Sequence, residues 1–359
     1  MQPTTNAKWK QAWQKVDRVP RHFSSTISRA AVWARPIHAI GGQATTPLKY
    51  VMLSLHKKDK QGILFALGGF SLFSAGDLVI KILADDGFAP AEIAFFLQLF
   101  FLPLLLLVSP WIGGIKAALR TENLWLHVIR ALCGVLIFFA MITGFKQLGL
   151  ATSYTLIFVG PFFAALLSIV FLKEKVGKYR WLSMAGGFIG ILVVLRPGIE
   201  RLEPAAIGIL IAALLFAVAT NIARKIGEDE PLLAFSLFGS VISLQAYGVL
   251  TFWDGQAMIP KGGQWGLFAL IGMFHVGGSL LTSRAFSMTE TALVAPFHYV
   301  QLLWGTLFGI VIFSTVPDVW TGLGASIIVM SGLFLIYREH VRHREITAVL
   351  TAHGGFDQD

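Results

Sequence analysis

The sequence predicts an all-α integral membrane protein with ten transmembrane helices, arranged as two inverted five-helix repeats. Composition, a series of apolar stretches and an internal repeat carry this prediction. The 359 residues are 55% hydrophobic and only 14% charged, which excludes an ordinary soluble protein. Ten apolar stretches follow one another, each close to the ~20 residues that a helix needs to cross the hydrocarbon core of a bilayer.

The internal repeat relates two halves of the chain. Aligning Ala151 with Ala292 places the stretch 151–197 over 292–337, and several aligned residues are identical. The start of each half repeats more clearly, because GILFA at 62–66 recurs as GILIA at 208–212. Each half then holds five apolar segments, and this odd number inserts the second half upside down relative to the first.

The ten spans follow in order from this reading. They are predicted near 63–82, 90–109, 125–145, 150–172, 181–196, 205–224, 231–252, 265–284, 291–313 and 318–337. The chain accordingly divides into four parts: a basic cytoplasmic N-terminal tail at 1–61, a first repeat at 62–197, a second repeat at 205–338 and a cytoplasmic C-terminal tail at 339–359.

The net charge of +9 is concentrated near the N-terminus, where residues 1–60 contain eleven lysines and arginines and two acidic residues. Such a tail suits an anionic lipid surface, at about 1 kcal/mol per basic residue, and no nucleic-acid partner is expected. The short loops carry twelve basic residues on one side and five on the other, which predicts both termini in the cytoplasm. We expect a bacterial cytoplasmic (inner) membrane. The tail also resembles a mitochondrial presequence, so the mitochondrial inner membrane is the alternative.

Charged residues within the spans are the first candidates for substrate binding. Each costs about 2.5–3.5 kcal/mol in hydrocarbon and therefore needs a partner or water. Asp77 and Lys81 are four residues apart on the first helix, which fits either an ion pair near the outer mouth or a cavity site. Arg130 lies about one turn into the third helix, where it is expected either to snorkel to the cytoplasmic surface or to serve the site.

The ninth span carries most of the uncharged candidates. His298 and Gln301 are three residues apart and share a helix face near mid-membrane depth, with Tyr299 and Trp304 beside them. This face can hydrogen-bond and stack on a planar organic solute, although such aromatic residues also pack against neighbours or lipid. Two more candidates lie in the eighth and sixth spans: His275 and Asn221.

No motif for nucleotide hydrolysis, metal binding or a nucleophilic serine occurs, so no catalytic residue, metal or cofactor is predicted. A membrane-embedded enzyme acting on lipid-linked substrates is one alternative, and its acidic residues would be Asp85, Asp86 and Glu92. A channel for small polar solutes is another. It would require like polar residues in both halves, and the candidates of the ninth span are not repeated in the first half.

Several short motifs resemble the EamA family of the drug/metabolite transporter superfamily. They are RALCG at 130–134, Pro161, LKE at 172–174, APFHYVQ at 295–301, VPD at 316–318 and SGLFLIYRE at 331–339. The resemblance covers about 62–339. Within the family, PFHYVQLLW at 296–304 and the surroundings of Arg130 are similar to the branch that includes S-adenosylmethionine carriers.

This resemblance implies ten helices in inverted repeats around a central cavity, and secondary transport of small organic metabolites by alternating access. The implied substrate is S-adenosylmethionine, an amino acid or a nucleotide-like solute, with none of them assigned. A coupling proton or exchange substrate and a homodimer are open expectations. Where the family usually has Gly-Glu before Val316, this chain has Ser314 and Thr315, so no glutamate can act there.

Overall fold

The structure, a computed structural model, describes residues 57–112, 114–172, 178–196, 203–227, 230–253, 255–289 and 294–354. Every regular element in these ranges is a helix, which confirms the predicted all-α class. Residues 54–338 form one compact unit, and the contacts reported below lie within it. Most of the basic tail predicted at 1–61 lies outside the described residues.

The longer helices are numbered in chain order. They are α1 Lys57–Asp85, α2 Pro90–Val108, α3 Leu124–Gln147, α4 Leu150–Ile157, α5 Gly160–Leu172, α6 Lys178–Leu195, α7 Pro204–Ile226, α8 Leu232–Phe252, α9 Gln264–Met288, α10 Val300–Val311 and α11 Val319–Gly354. A 3-10 turn at Ser109–Trp111 and one helical turn at Ile115–Ala118 follow α2, and a 3-10 segment at Ala295–Tyr299 precedes α10.

Seven apolar segments in the described ranges are long enough to cross a membrane, and two shorter apolar helices accompany them at Trp181–Leu195 and Val319–Leu335. The prediction of ten uniform spans is therefore only partly met. The predicted fourth span divides into α4 and α5 at Phe158 and Val159, and the predicted ninth span divides into the 3-10 segment and α10. Both divisions expose backbone groups within an apolar segment, which membrane proteins tolerate where other helices cover them.

The two halves match element by element. Helix α3, moved by the offset that aligns Ala151 with Ala292, covers 265–288, and α9 is Gln264–Met288. Helix α2, moved by the same offset, begins at 231, next to the start of α8 at Leu232. The divided fourth and ninth segments also coincide under this offset. The internal repeat read from the sequence is therefore present in the structure.

Helices of one half pack mainly on helices of the other half. Helix α1 packs along α9, and the equivalent pair is α7 along α3. Contacts of α2 with α9 have their equivalent in α8 with α3, and contacts of α7 with α5 have theirs in α1 with α10, while α2 with α8 joins equivalent helices directly. Exchanging the halves thus maps these contacts onto one another, as two inverted repeats require.

Small residues allow two helix pairs, α1 with α9 and α6 with α11, to meet backbone to backbone. A Cβ atom added at Gly69 of α1 would lie 3.0 Å from the carbonyl oxygen of Gly278 in α9. Likewise, a Cβ at Gly190 of α6 would lie 3.0 Å from the carbonyl oxygen of Gly324 in α11. Any larger residue would push these helices apart, so the glycines serve close packing as membrane interiors commonly require.

Candidate functional site

A buried carboxylate on α1 is the centre of the polar groups between the halves. Asp77 is 8% exposed, and its Oδ2 accepts a hydrogen bond of 2.6 Å from the hydroxyl of Tyr154 on α4. Its second oxygen, Oδ1, lies 3.9 Å from Nε2 of His275 on α9. One carboxylate therefore meets polar side chains from both halves.

Two glycines make this approach possible. A Cβ added at Gly76, the neighbour of Asp77, would lie 2.6 Å from the imidazole ring of His275. A Cβ at Gly305 of α10 would lie 2.6 Å from the ring of Tyr154. These distances are shorter than any real carbon contact, so each ring rests directly on a helix backbone.

The orientation of His275 follows from its neighbours. Nδ1 lies 3.1 Å from the carbonyl oxygen of Ile271, one turn earlier on α9. Because a carbonyl only accepts hydrogen bonds, Nδ1 carries a hydrogen there, and Nε2 faces Asp77. The rings of Phe73 and Phe138 meet the imidazole edge-on, with centroids 5.7 and 6.2 Å away.

Aromatic rings also enclose Tyr154. Phe145 meets it edge-on at 5.6 Å, and Phe158 stacks parallel to it at 6.2 Å. Phe158 in turn meets the rings of His298 at 5.1 Å and Tyr299 at 5.0 Å. The polar centre on Asp77 and the predicted face of the ninth span are thus joined by one ring from the break between α4 and α5.

The predicted His298–Gln301 face points into the protein. His298 stacks on Phe70 of α1 with centroids 4.7 Å apart, and Gln301 is 7% exposed. Trp304 donates a hydrogen bond of 2.8 Å from Nε1 to the hydroxyl of Ser71. Both candidates of this face therefore lie against α1 or are buried, and Trp304 packs against a neighbouring helix.

Tyr299 has a different neighbourhood from the rest of the ninth span. Its hydroxyl end rests against Gly332 of α11, where an added Cβ would overlap it. Tyr299 therefore contacts Phe158 with its ring and α11 with its hydroxyl end.

The expected pair between Asp77 and Lys81 is wrong. Nζ of Lys81 binds both oxygens of Asp85 at 2.8 and 2.9 Å and lies 4.9 Å from the ring centre of Phe313. Asp85 is one turn further along α1 and 42% exposed, so the pair forms where water still solvates it. Pairing at this end of the helix costs less desolvation than pairing beside the buried carboxylate.

Arg130, for which snorkelling to the surface is one of two expectations, is half-buried and reaches α8. Its Nη2 donates to the carbonyl oxygen of Phe235 on α8, and the guanidinium lies 5.0 Å from the ring centre of the same residue. Asn221 donates to the carbonyl of Ala217 on its own helix at 2.9 Å, so no tie to a second helix is seen. Neither residue is brought to the polar centre.

The acidic residues considered for an enzyme are spread over structural contacts. Asp85 holds Lys81, and Glu92 accepts hydrogen bonds from the backbone of Ala89 and of Met258, both at 2.7 Å. The first of these caps α2, and the second ties its end to the loop between α8 and α9. Within the described residues, no group of acidic and histidine side chains has the arrangement of a metal site.

Sequence reasoning missed Tyr154. It is one of six tyrosines in 359 residues and stands within a long apolar run, a signal that could have marked it. The repeat adds a second observation, since the same offset between the halves places Tyr154 over Ala295 and His275 over Gly134. The polar centre is therefore present once per chain, which is unlike the repeated rings of polar groups that a channel uses.

The sequence is similar to those of known membrane transporters. Residues 60–196 and 203–338 each match the sequence profile of the EamA-like transporter family. An S-adenosylmethionine uptake transporter of Rickettsia felis is 31% identical over 272 residues, covering 74% of this chain and 89% of the relative. A riboflavin transporter of Rhizobium johnstonii is 29% identical over 229 residues, covering 64% of this chain and 76% of the relative.

The fold also matches a solved structure. A crystal structure with 16% sequence identity superimposes with a TM-score of 0.55 over 79% of this chain and 98% of the other. At this identity, the likeness concerns the fold alone. It agrees with the all-helical arrangement described above.

Proposed function

Since the chain belongs to the EamA-like transporter family, we propose that it is a secondary transporter for a planar nitrogen heterocycle that carries a polar chain, with S-adenosylmethionine as the first candidate. The observation that carries this proposal is the polar centre of Asp77, Tyr154 and His275, enclosed by aromatic rings where the two halves meet. Family membership and the names of the relatives also make the protein a multi-pass membrane transporter and not an enzyme.

The proposed substrate class follows from chemistry that two relatives share. S-adenosylmethionine and riboflavin each join a flat nitrogen heterocycle to a hydroxylated chain. Aromatic side chains offer such a heterocycle stacking surfaces, and each ring pair is worth about 0.5–1.5 kcal/mol beyond its buried area. Phe73 and Phe138 contact His275, and Phe158 contacts Tyr154, so all three rings lie beside the polar centre. The carboxylate, phenol and imidazole supply the polar partners of the substrate.

The proposed mechanism is alternating access by two inverted repeats in ten spans, with the N- and C-termini in the cytoplasm of a bacterial inner membrane. The exchange of helix contacts between the halves supports it, because a carrier of this kind changes the side of access by rocking one half against the other. The domain limits proposed are 62–197 and 205–338 for the repeats. An exchanged solute or a proton is the proposed source of energy, since a secondary transporter uses a gradient.

Counterflow in proteoliposomes tests the function. Vesicles preloaded with unlabelled S-adenosylmethionine should accumulate the labelled compound from outside, and the same vesicles should reject neutral amino acids. Riboflavin in parallel vesicles examines the second relative's substrate. Saturable exchange of amino acids, with no exchange of either heterocycle, would overturn the proposed substrate class.

A further inference from the structure

We propose that Asp77 is the counter-charge for a positively charged group of the transported solute, so that the carrier prefers a solute with one net positive charge over its analogue of zero net charge. The inference rests on the proposed function and deepens it, because it assigns a charge to the solute and a partner for that charge. The contacts of the carboxylate support it.

Among the described residues only a protonated His275 could neutralise Asp77, since its Nε2 lies 3.9 Å from Oδ1, and with the imidazole uncharged the carboxylate has no counter-charge. In the ranges that the structure describes, neither a lysine nor an arginine forms an ion pair with it. The nearest lysine along α1, Lys81, is held by Asp85. Arg130 is held by the backbone of Phe235. The neighbourhood of Asp77 therefore carries one uncompensated carboxylate.

The charge of Asp77 carries a free-energy cost, because the residue lies in an apolar helix. A single charged residue in the hydrocarbon core costs about 2.5–3.5 kcal/mol on insertion scales, and residues that accept this cost commonly serve function. The hydroxyl of Tyr154 offsets part of it by one hydrogen bond to Oδ2. Oδ1 has no hydrogen-bond donor in the described part of the chain, and the side chain retains 12% exposure. This oxygen is the one left for a ligand.

A buried hydroxyl and aromatic rings surround Asp77. Ser74, one turn before Asp77 on α1, is fully buried, and its hydroxyl oxygen has no partner among the described residues. Phe73 and Phe138 both contact the imidazole of His275, which faces the carboxylate. A carboxylate near aromatic rings suits a sulfonium or quaternary ammonium group, because a ring face turned toward a cation attracts it by about 0.5–2 kcal/mol.

The test compares two solutes that differ by one methyl group and one charge. S-adenosylmethionine carries a sulfonium, whereas S-adenosylhomocysteine lacks that methyl group and its positive charge. Both are offered to wild-type proteoliposomes, alongside riboflavin as a neutral heterocycle. We expect wild-type uptake of the sulfonium compound to exceed that of its neutral analogue by at least about tenfold.

The variant Asp77→Asn keeps the shape of the side chain and removes its charge. It should reduce uptake of the sulfonium compound at least about tenfold more than uptake of the analogue without net charge, so the preference disappears. Asp86→Asn is the matched control, since it removes the same charge from the exposed loop between α1 and α2 and should change neither rate. Thermal unfolding in detergent verifies that each variant is folded.

A second variant guards against misfolding of Asp77→Asn. Tyr154→Phe keeps the carboxylate and removes its hydroxyl donor, so the preference for the cation should persist even if both rates fall. Equal uptake of the two solutes by the wild type, or a preference that survives Asp77→Asn, overturns the counter-charge and leaves the proposed function intact. Uptake of riboflavin alone would also overturn the counter-charge and leave the proposed function intact. Uptake of none of the three overturns the proposed function and this inference with it.

Discussion

His127 and Phe268 occupy equivalent positions in the two halves, on α3 and α9, and both are fully buried. Nε2 of His127 lies 3.3 Å from Oε1 of Glu230, whereas Phe268 packs edge-on against Phe88 with centroids 5.4 Å apart. Glu230 and Phe88 each stand two residues before the start of a helix, α8 and α2 respectively. The same junction between the halves is thus polar at one end and apolar at the other.

Replacing the polar pair by the apolar one should stabilise the contact between the halves at that end of the protein. The double variant His127→Phe, Glu230→Phe copies the opposite end, so we expect a higher unfolding temperature and slower uptake. His127→Phe alone leaves the glutamate buried without a partner and should lower stability by about 1–3 kcal/mol. Thermal unfolding and initial uptake rates measure both effects. A double variant less stable than the single one would contradict this account.

A methyl group at Gly305 should disturb the candidate site without touching its polar atoms. In Gly305→Ala, the new Cβ would stand 2.6 Å from the ring of Tyr154, which forces the ring and its hydrogen bond to Asp77 to shift. We expect uptake to fall at least about tenfold, since small displacements in a site are costly. The control is Gly322→Ala on α11, where nothing lies within 4 Å of the added Cβ, and it should transport normally. Equal rates for the two variants would refute the argument.

The buried face of α10 should be required for transport. His298→Ala and Gln301→Ala each remove a polar group that lies inside the bundle, and we expect both to lose most transport while membrane abundance stays near wild type. Trp304→Phe keeps the ring and loses one hydrogen bond to Ser71, worth about 0.5–1.5 kcal/mol, so it should be mild. Uptake rates of the three variants, compared at equal amounts of protein in the membrane, test this expectation. Normal uptake by both alanine variants would reduce this face to packing.

Asp318 should stabilise the start of α11 in a pH-dependent way. It accepts a hydrogen bond of 2.9 Å from the amide of Thr321 and binds Arg196 of α6 at 2.6 Å. Burial alone raises the pKa of Asp318, but the Thr321 hydrogen bonds and Arg196 outweigh it and lower the pKa below its ordinary value. The stabilisation is therefore present above the ordinary pKa and is lost as the pH falls through the lowered one.

Two substitutions separate the contributions of Asp318. Asp318→Asn keeps a side chain able to cap the helix and loses the ion pair, which is worth about 0–1 kcal/mol because the carboxylate is 42% exposed. Asp318→Ala loses the cap as well, at about 0.5–2 kcal/mol. Thermal unfolding at neutral pH should rank wild type above asparagine and asparagine above alanine. As the pH falls from about 4 through the lowered pKa of Asp318, the first difference should shrink and then vanish. A constant difference at all pH values would exclude the ionised carboxylate as its cause.

The basic loops lead to a prediction on topology. A reporter enzyme fused after Arg344 should be active on the cytoplasmic side only, because basic residues are retained there. Fusion points in the loop between α8 and α9, near Lys261, should report the opposite side and serve as the control. Activity of the Arg344 fusion on the outer side would reverse the proposed orientation.

The sequence was sufficient for the repeat and for most helix limits, because both depend on local apolar content. The breaks after Ile157 and at Tyr299 could not be read, since each lies inside a continuous apolar run and is stabilised by contacts with other helices. The same limit applies to Lys81. Spacing along α1 allowed a pair with either Asp77 or Asp85, and the choice depended on solvent exposure, which only the packed helices determine.

The candidate site could be predicted in part for a similar reason. Asp77, His275, His298 and Gln301 stand out as polar residues within apolar spans, and all of them lie in the interior. Tyr154 was missed because its partner belongs to a different helix, far earlier in the chain. The sequence left Arg130 between the surface and the site, because the carbonyl of Phe235 that binds it belongs to a different half.

The exchange of helix contacts between the halves has an energetic consequence. If the two halves swapped conformations, as the proposed alternating access implies, α1 with α9 and α7 with α3 would trade places. Two states open to opposite sides would then contain the same set of corresponding helix pairs. What separates them is chemistry at the junctions, a histidine with a glutamate at one end and two phenylalanines at the other. The resting population of such a protein is thus set by a few side chains and can be shifted by one or two substitutions.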